Sequence, residues 1–267
     1  MRRPSAGAVC FSLAVTFFAG GCAASRRPVA RTAPAVLPSA AELDAALDTR
    51  RGTLASLRAL AHLRYEGPDE TSSSREAIVV SRPDRLRVEV LSVFGSVFLL
   101  IVDDGALTAY APRESTVYLG PASPENLWRY TRLGIGVGDV VDLVLGTPPA
   151  VSAEGRVEFD AEAGWVRLSQ DLPDGTQVVW FSDAAVPVAV EQRGSDGQVR
   201  WHASFVDHED HGGVAIATDI RVELPPWRRS LEIRLEDVDV NPALDHSVFA
   251  FHAPPGSKVV NLDSVVD

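Results

Sequence analysis

Residues 85–105 read RLRVEVLSVFGSVFLLIVDDG. In the first half, apolar side chains alternate with charged ones, which is the pattern of a strand with one buried face. The second half contains the run 97–102, which is apolar at every position and too short to cross a membrane as a helix. Asp103-Asp104-Gly105 then predicts a hairpin turn, because glycine tolerates the positive φ that such turns need. A strand apolar on one face beside a strand apolar on both predicts a sheet that curls around an apolar interior.

Most of the remaining chain is also predicted to form strands, separated by turn residues. Pro173-Asp174-Gly175 and Gly212-Gly213 are typical turn sequences. Roughly a dozen strands and about three helical stretches indicate an α+β fold that is mainly β, with one antiparallel sheet and helices on one of its faces. The strands predicted after the opening segment cover residues 107–110, 116–119, 156–160, 165–170, 176–182, 187–193, 198–206, 214–223 and 230–237.

The first helix is predicted from a capping signal. Ser39 with Glu42 three residues later forms a capping box, and apolar residues recur at helical spacing as far as Ala61. A first strand is therefore predicted at about residues 62–65, followed by a polar turn over 67–74. The two other helices are predicted over residues 124–133 and 137–145, the second ended by Gly146.

Residues 1–21 have the organisation of a secretory signal peptide. Arg2 and Arg3 form a basic start, a short apolar run follows, and small residues precede Cys22. These small residues resemble the lipobox of bacterial lipoproteins, in which the signal is cut before a cysteine that becomes modified by acyl chains such as palmitate. We therefore predict lipidation at Cys22. The alternative is ordinary secretion with cleavage near Ala24.

The mature chain is predicted to consist of a tether and one large domain. Residues 22–38 are rich in alanine, arginine and proline, which favours an extended, flexible tether, and residues 39–267 form the domain. Cys10 lies in the segment predicted to be removed, so the mature chain would hold a single cysteine and no internal disulfide. The apolar core alone must then stabilise the exported domain, which its length allows.

Charge and motif content exclude several classes of function. Removal of residues 1–21 takes away two arginines and moves the formal net charge from −11 to −13, which disfavours nucleic acid as a partner. His208 and His211 are three residues apart, but they precede two glycines and are interpreted as part of a polar hairpin loop rather than a metal site. The paired carboxylates have no catalytic context. We predict no enzyme activity, no cofactor and no metal.

Several short segments have residue types in common with one bacterial family. They are RPDRLR at residues 82–87, Phe94-Gly95, Asp104-Gly105, Tyr110, the helix end Leu145-Gly146 and the closing residues 249–260. With these segments the chain resembles the periplasmic lipoprotein-localisation family, LolA/LolB-like, and its outer-membrane acceptor branch most. The resemblance implies that residues 39–267 form a lipid-binding domain, an incomplete antiparallel β-barrel whose curved sheet is closed by helices around an apolar cavity for acyl chains.

The candidate site residues lie in the opening strands and in the break between them. The residues predicted to line the cavity are Leu86, Val88, Val90, Leu99 and Ile101, although a shift of one residue would turn each side chain to the other face. The resemblance implies a membrane or transfer loop with a protruding hydrophobic residue, and Val93 and Phe94 occupy that place. From the residues alone, Phe94 fits equally well as a core residue at a strand end.

These observations predict a non-enzymatic lipoprotein of the bacterial outer membrane, anchored by its N-terminal lipid and facing the periplasm. It would bind and transfer lipid or lipoprotein acyl chains, as an acceptor or carrier in lipoprotein localisation that receives cargo from a periplasmic carrier protein. One alternative is an envelope sensor or assembly subunit that uses the same fold to bind a protein partner. A secreted hydrolase is the third hypothesis and would require a convergent polar cleft around the two histidines.

Overall fold

The computed structural model of the protein describes residues 33–262, which form part of one compact unit. The predicted signal peptide, Cys22 and the tether as far as residue 32 lie outside the described residues. Within these bounds the secondary structure is dominated by strands. They are β1 Ser56–Glu66, β2 Thr71–Ser81, β3 Arg85–Ser92, β4 Gly95–Asp103, β5 Ala106–Ala111, β6 Thr116–Pro121, β7 Gly155–Asp160, β8 Trp165–Leu172, β9 Gly175–Phe181, β10 Pro187–Gly194, β11 Val199–Asp210, β12 Ala215–Leu224, β13 Arg229–Val240 and β14 Lys258–Asn261.

All of these strands belong to a single sheet. Its order is β14-β6-β5-β4-β3-β2-β1-β13-β12-β11-β10-β9-β8-β7. Neighbours are antiparallel except β14, which pairs with β6 in parallel. The sheet is curved and does not close, because β7 and β14 remain at its two ends. The prediction of a mainly β, incompletely closed antiparallel sheet is confirmed.

Three α-helices accompany the sheet in the part of the chain described. They are α1 Ala40–Thr53, α2 Pro124–Thr131 and α3 Val137–Val144. Short 3-10 turns cover Pro112–Glu114, Pro225–Trp227 and His246–Phe249. No helix between residues 33 and 262 is both long and apolar enough to cross a membrane.

The first helix begins as predicted but ends earlier. The Ser39 hydroxyl accepts the backbone N–H of Glu42 at 3.2 Å, and the Glu42 carboxylate accepts the backbone N–H of Ser39 at 2.7 Å, which completes the capping box. The helix ends at Thr53, and β1 starts at Ser56. The prediction of helix as far as Ala61 was therefore wrong, because the apolar positions in this segment fit both a helical period and the period of two that a strand requires.

The helices cover the inner face of the sheet. Leu43 and Leu47 of α1, Leu127 of α2 and Val141 of α3 are buried in one core with the inward side chains of the strands. The outer face of β4 is covered separately, by the segment that contains Phe249. The sheet is therefore covered by helices on one face and, near β4, by the C-terminal segment on the other.

Candidate functional site

An apolar cavity of about 270 Å³ lies between the inner face of the sheet and the helices. This volume is close to the lower end of ligand pockets, which hold roughly 300–1,000 Å³. Strands β1 to β4 and β13 form its floor, and α3 and the end of α2 form its roof. Its apolar lining includes Leu63, Ile78, Leu86, Val88, Val90, Phe98, Leu100, Val140, Val144 and Ile233.

Strand register explains why these residues face the cavity. Val88 pairs with Leu100 and Val90 pairs with Phe98, so the even-numbered residues of β3 and β4 point to the same face. The alternation in β3 had indicated which residues are inward. The structure accordingly places Leu86, Val88 and Val90, three of the five predicted lining residues, in the cavity wall.

Leu99 and Ile101, which we expected in the cavity, lie on the outer face of β4 instead. They pack with Val79 and Phe249 in a separate apolar cluster. The continuous apolar run of β4 carries no alternation, so the sequence contained no signal for the direction of its side chains. Their burial is due to the C-terminal segment, which crosses the outer face of the sheet.

One strand gives the cavity a polar stripe. Ser72, Ser74 and Glu76 are successive inward residues of β2 and all line the cavity. Glu76 is 6% exposed, and its Oε1 accepts a hydrogen bond of 2.7 Å from the Ser74 hydroxyl. Burial raises the pKa of the Glu76 carboxyl. The prediction of a turn over residues 67–74 was wrong, because β2 already begins at Thr71, and the polar residues at a spacing of two belong to this strand.

The exposed residues of the lining are Glu70, Ser72 and Arg132, so the cavity opens at the edge of the sheet where β1 ends and β2 begins. Arg132, at the C-terminus of α2, is 3.7 Å from the Glu70 carboxylate across this opening, and both side chains are substantially exposed. Tyr130 stacks on Phe98 with ring centroids 5.5 Å apart. Burial raises the pKa of Tyr130 to about 12, so its hydroxyl is neutral at physiological pH. The lining of the cavity therefore combines a stacked aromatic pair with an exposed ion pair.

The hairpin between β3 and β4 presents two apolar side chains to solvent. Val93 is 93% exposed and Phe94 is 94% exposed. Gly95 adopts φ +106°, and the Ser92 hydroxyl accepts the backbone N–H of Phe94 and donates to the Gly95 carbonyl, which fixes the turn. Phe94 is therefore not a core residue in this structure.

The hairpin tip and the cavity opening lie at the same edge of the sheet. Leu91 pairs with Arg75, so the tip extends in the direction in which β2 begins, past the level of Ser74. The turn before β13 lies at this edge too, because Ser230 pairs with Glu66. There Trp227 is half exposed, with its ring centroid 5.7 Å from that of Trp128 in α2.

Buried charges hold α3 over the cavity. Arg82 forms an ion pair with Asp142 of α3 and donates from Nε to the Leu54 carbonyl at 2.8 Å. Arg50 donates from Nε to the Gly146 carbonyl at 3.1 Å, just beyond the helix. Burial lowers the pKa of Arg82 to about 10, which leaves it charged at neutral pH. These contacts fix the C-terminal part of α3 to the end of α1 and to the turn between β2 and β3.

The two histidines do not lie together in a hairpin loop, as was predicted, because β11 extends as far as Asp210. His208 lies in β11, where burial lowers its pKa, whereas His211 lies in the following turn, 3.7 Å from the Glu209 carboxylate. Between residues 33 and 262 no group of three or more potential ligands is arranged to hold a metal ion. The cavity beneath the helices is therefore the stronger candidate for the functional site.

Known proteins resemble this chain in structure but not in sequence. No family model matches this sequence, and no curated protein matches it. A domain from Vibrio parahaemolyticus, described as that of an outer membrane lipoprotein-sorting protein, has a TM-score of 0.57 at 15% identity, covering 78% of this chain and 94% of its own. A DUF1329 family protein from Desulfovibrio piger has a TM-score of 0.55 at 13% identity, covering 78% of this chain and 95% of its own.

A third solved structure is of a LolA superfamily protein from Nitrosomonas europaea. It has a TM-score of 0.54 at 13% identity and covers 80% of this chain and 99% of its own. At such low identity these similarities show a shared fold only. Proteins with the same fold can have different functions. The resemblance found in the sequence is thus confirmed at the level of the fold, which this chain shares with a lipoprotein-sorting domain and with a LolA superfamily protein.

Proposed function

We propose that the protein binds acyl chains of lipids or lipoproteins in the cavity and transfers them at the edge that carries Val93 and Phe94. The observation that carries this proposal is the position of the apolar cavity, which lies under α2 and α3 and opens at the same edge of the sheet as the exposed hairpin tip. An uncovered phenylalanine is suited to the interface of a membrane, where an apolar ring can be buried.

Binding would be a partition between membrane and cavity. Relative to water, each buried methylene contributes about 0.8 kcal/mol, so six methylenes that move from the membrane into the cavity keep a stabilisation of roughly 5 kcal/mol. A cavity that replaces the membrane interior around the chain needs no covalent step. The non-enzymatic function predicted from the sequence is consistent with this mechanism.

Reversible transfer requires a part of the roof that can open. The ion pair between Arg132 and Glu70 is exposed, and such pairs contribute only about 0–1 kcal/mol. The other end of the roof is held by the buried pair of Arg82 and Asp142. We therefore assign the opening movement to the end of α2, with α3 remaining in place.

The cellular setting of the proposal follows from the N-terminal sequence. Acylated Cys22 would anchor the protein in the outer membrane, and residues 22–38 would hold the domain in the periplasm as a tether. A periplasmic carrier protein would supply the cargo. The solved domain from Vibrio parahaemolyticus, described as lipoprotein-sorting, supports this assignment to lipoprotein localisation.

Binding to the cavity can be tested with N-phenyl-1-naphthylamine, an uncharged apolar dye whose fluorescence rises in apolar surroundings. The mature domain should bind the dye, and Val88→Trp should weaken binding at least about tenfold by filling the cavity. Glu89→Gln, one residue away on the opposite face, is the matched control and should bind normally. Equal binding by Val88→Trp and the control, with both folded, would contradict the proposed site.

The second candidate function is that of an envelope sensor or assembly subunit that binds a protein partner. The half-exposed Trp227, whose ring is tilted against that of Trp128 at the same edge of the sheet, favours it, because tryptophan is enriched in protein interfaces. This function predicts that Val88→Trp leaves partner binding intact while Trp227→Ala abolishes it. Acyl-chain transfer predicts that Val88→Trp is the more damaging of the two.

A further inference from the structure

Glu76 occupies an unusual place for a carboxyl group. In the register of the sheet its neighbours on the adjacent strands are Val90 of β3 and Ala61 of β1, and Ala61 is followed in the same row by Leu235 of β13. The side chain faces the cavity and is 94% shielded from solvent. A carboxyl group therefore interrupts an apolar floor in the interior of the proposed site.

This carboxyl group has few partners within the protein. The Ser74 hydroxyl is its only side-chain hydrogen-bond partner among residues 33–262, and no arginine, lysine or histidine of that range lies within ion-pair distance. The cation in the lining of this cavity, Arg132, is paired with Glu70 at the opening. Burying a carboxyl group without adequate partners costs free energy, which a purely apolar ligand would not recover.

The polar stripe of β2 runs from the opening into the interior of the cavity. Ser72 lies near the opening, Ser74 follows, and Glu76 is the innermost of the three. Beyond Glu76 the same face of β2 continues with Ile78, and the neighbouring strand contributes Leu86. Polar groups thus lead from the opening as far as Glu76, and only apolar groups line the floor beyond it.

We propose that Glu76 accepts a hydrogen bond from the polar group to which the acyl chain is joined, an amide N–H or a hydroxyl. The ligand would then be an amphiphile, with its chain in the apolar end of the cavity and its donor group at Glu76. This inference rests on the proposed function. It adds that the site selects chains that carry a hydrogen-bond donor. A donor on the ligand would replace the hydrogen bonds to water that the Glu76 carboxyl group loses when it is buried.

Two matched amphiphiles test the inference. N-methyldodecanamide has one N–H, whereas N,N-dimethyldodecanamide replaces it with a methyl group and has no donor. Each is titrated into the mature domain loaded with N-phenyl-1-naphthylamine, and displacement of the dye is measured. We expect the donor-bearing amide to displace the dye at about tenfold lower concentration. The hydrophobic effect alone would favour N,N-dimethyldodecanamide, which has one more methyl group. A preference for N-methyldodecanamide would therefore be due to its N–H.

Three variants complete the test. Glu76→Leu should still bind the dye but lose the preference, and Glu76→Gln, which keeps a neutral acceptor oxygen and serves if the leucine variant fails to fold, should reduce it to about threefold. Glu89→Leu removes a carboxylate from the opposite face of the sheet and should keep the full preference.

The outcomes separate the two proposals. A wild-type domain that does not bind the dye refutes the proposed cavity function itself. Dye binding with equal displacement by both amides, or a preference that survives in folded Glu76→Leu, overturns only the role of Glu76.

Discussion

Replacing Phe94 by glutamate should separate stability from transfer. Phe94 is 94% exposed, so the change should alter the free energy of unfolding by less than about 0.5 kcal/mol. A fully covered phenylalanine buries roughly 150–250 Å², which at about 25 cal/mol per Å² corresponds to about 4–6 kcal/mol. Insertion of half the ring would contribute about 2 kcal/mol, and its loss should slow transfer roughly 30-fold.

The assay is the movement of a fluorescent acylated peptide from the domain to liposomes, with the thermal midpoint measured on the same samples. Phe94→Leu should retain most of the transfer rate, because leucine is also apolar. Phe98→Glu is the inward control, since Phe98 lines the cavity and stacks on Tyr130, and it should lower the thermal midpoint markedly. A Phe94→Glu protein with normal stability and full transfer, or one that unfolds, would refute the role assigned to the hairpin tip.

Three further predictions concern the anchor, the roof and the buried carboxyl group. Cys22→Ala should release the protein from the membrane into the soluble periplasmic fraction, whereas retention measured by fractionation would reject the lipid anchor. Arg82→Met should lower the free energy of unfolding by about 3 kcal/mol in denaturant titrations, because Asp142 would remain buried without its partner, and changing Asp142 to leucine as well should restore much of the loss. Because the folded pKa of Glu76 is raised, its contribution to stability is greatest below the unfolded value of 4.5 and decreases as pH rises towards the folded pKa. Glu76→Gln should therefore gain stability relative to wild type as pH rises from 4 to 8, and a constant difference in thermal midpoint would contradict this.

Local signals in the sequence predicted much of the fold. Turn residues correctly separated most strands from β7 to β13, and the capping box at Ser39 correctly marked the start of α1. The alternation in β3 placed Leu86, Val88 and Val90 on one face, and the structure has all three in the cavity wall. These features are encoded by neighbours in the chain, so no distant contact is needed to specify them.

Other features had no local signal. The apolar pattern of residues 54–61 fits both a helix and a strand. Residues from Ser56 onwards form a strand because β1 pairs with both β2 and β13. Because β4 is apolar at every position from 97 to 102, the sequence does not show which face Leu99 and Ile101 occupy. In the structure they lie on the outer face, where the C-terminal segment covers them. Arg82 and Asp142 form an ion pair although they are 60 positions apart in the sequence, so no short sequence motif could predict this contact.

The sequence by itself determined the class of the fold, most of its strands and the turn that contains Phe94, because periodicity, capping and glycine geometry act over a few residues. Whether Phe94 is exposed or buried was decided by the tertiary structure. Only the tertiary structure decided that Glu76 lies inside an apolar cavity and that the cavity opens beside Phe94. Both facts depend on which strands become neighbours and on where α2 and α3 lie over the sheet. Such long-range packing is selected by the burial of the whole core, to which each residue contributes only a part.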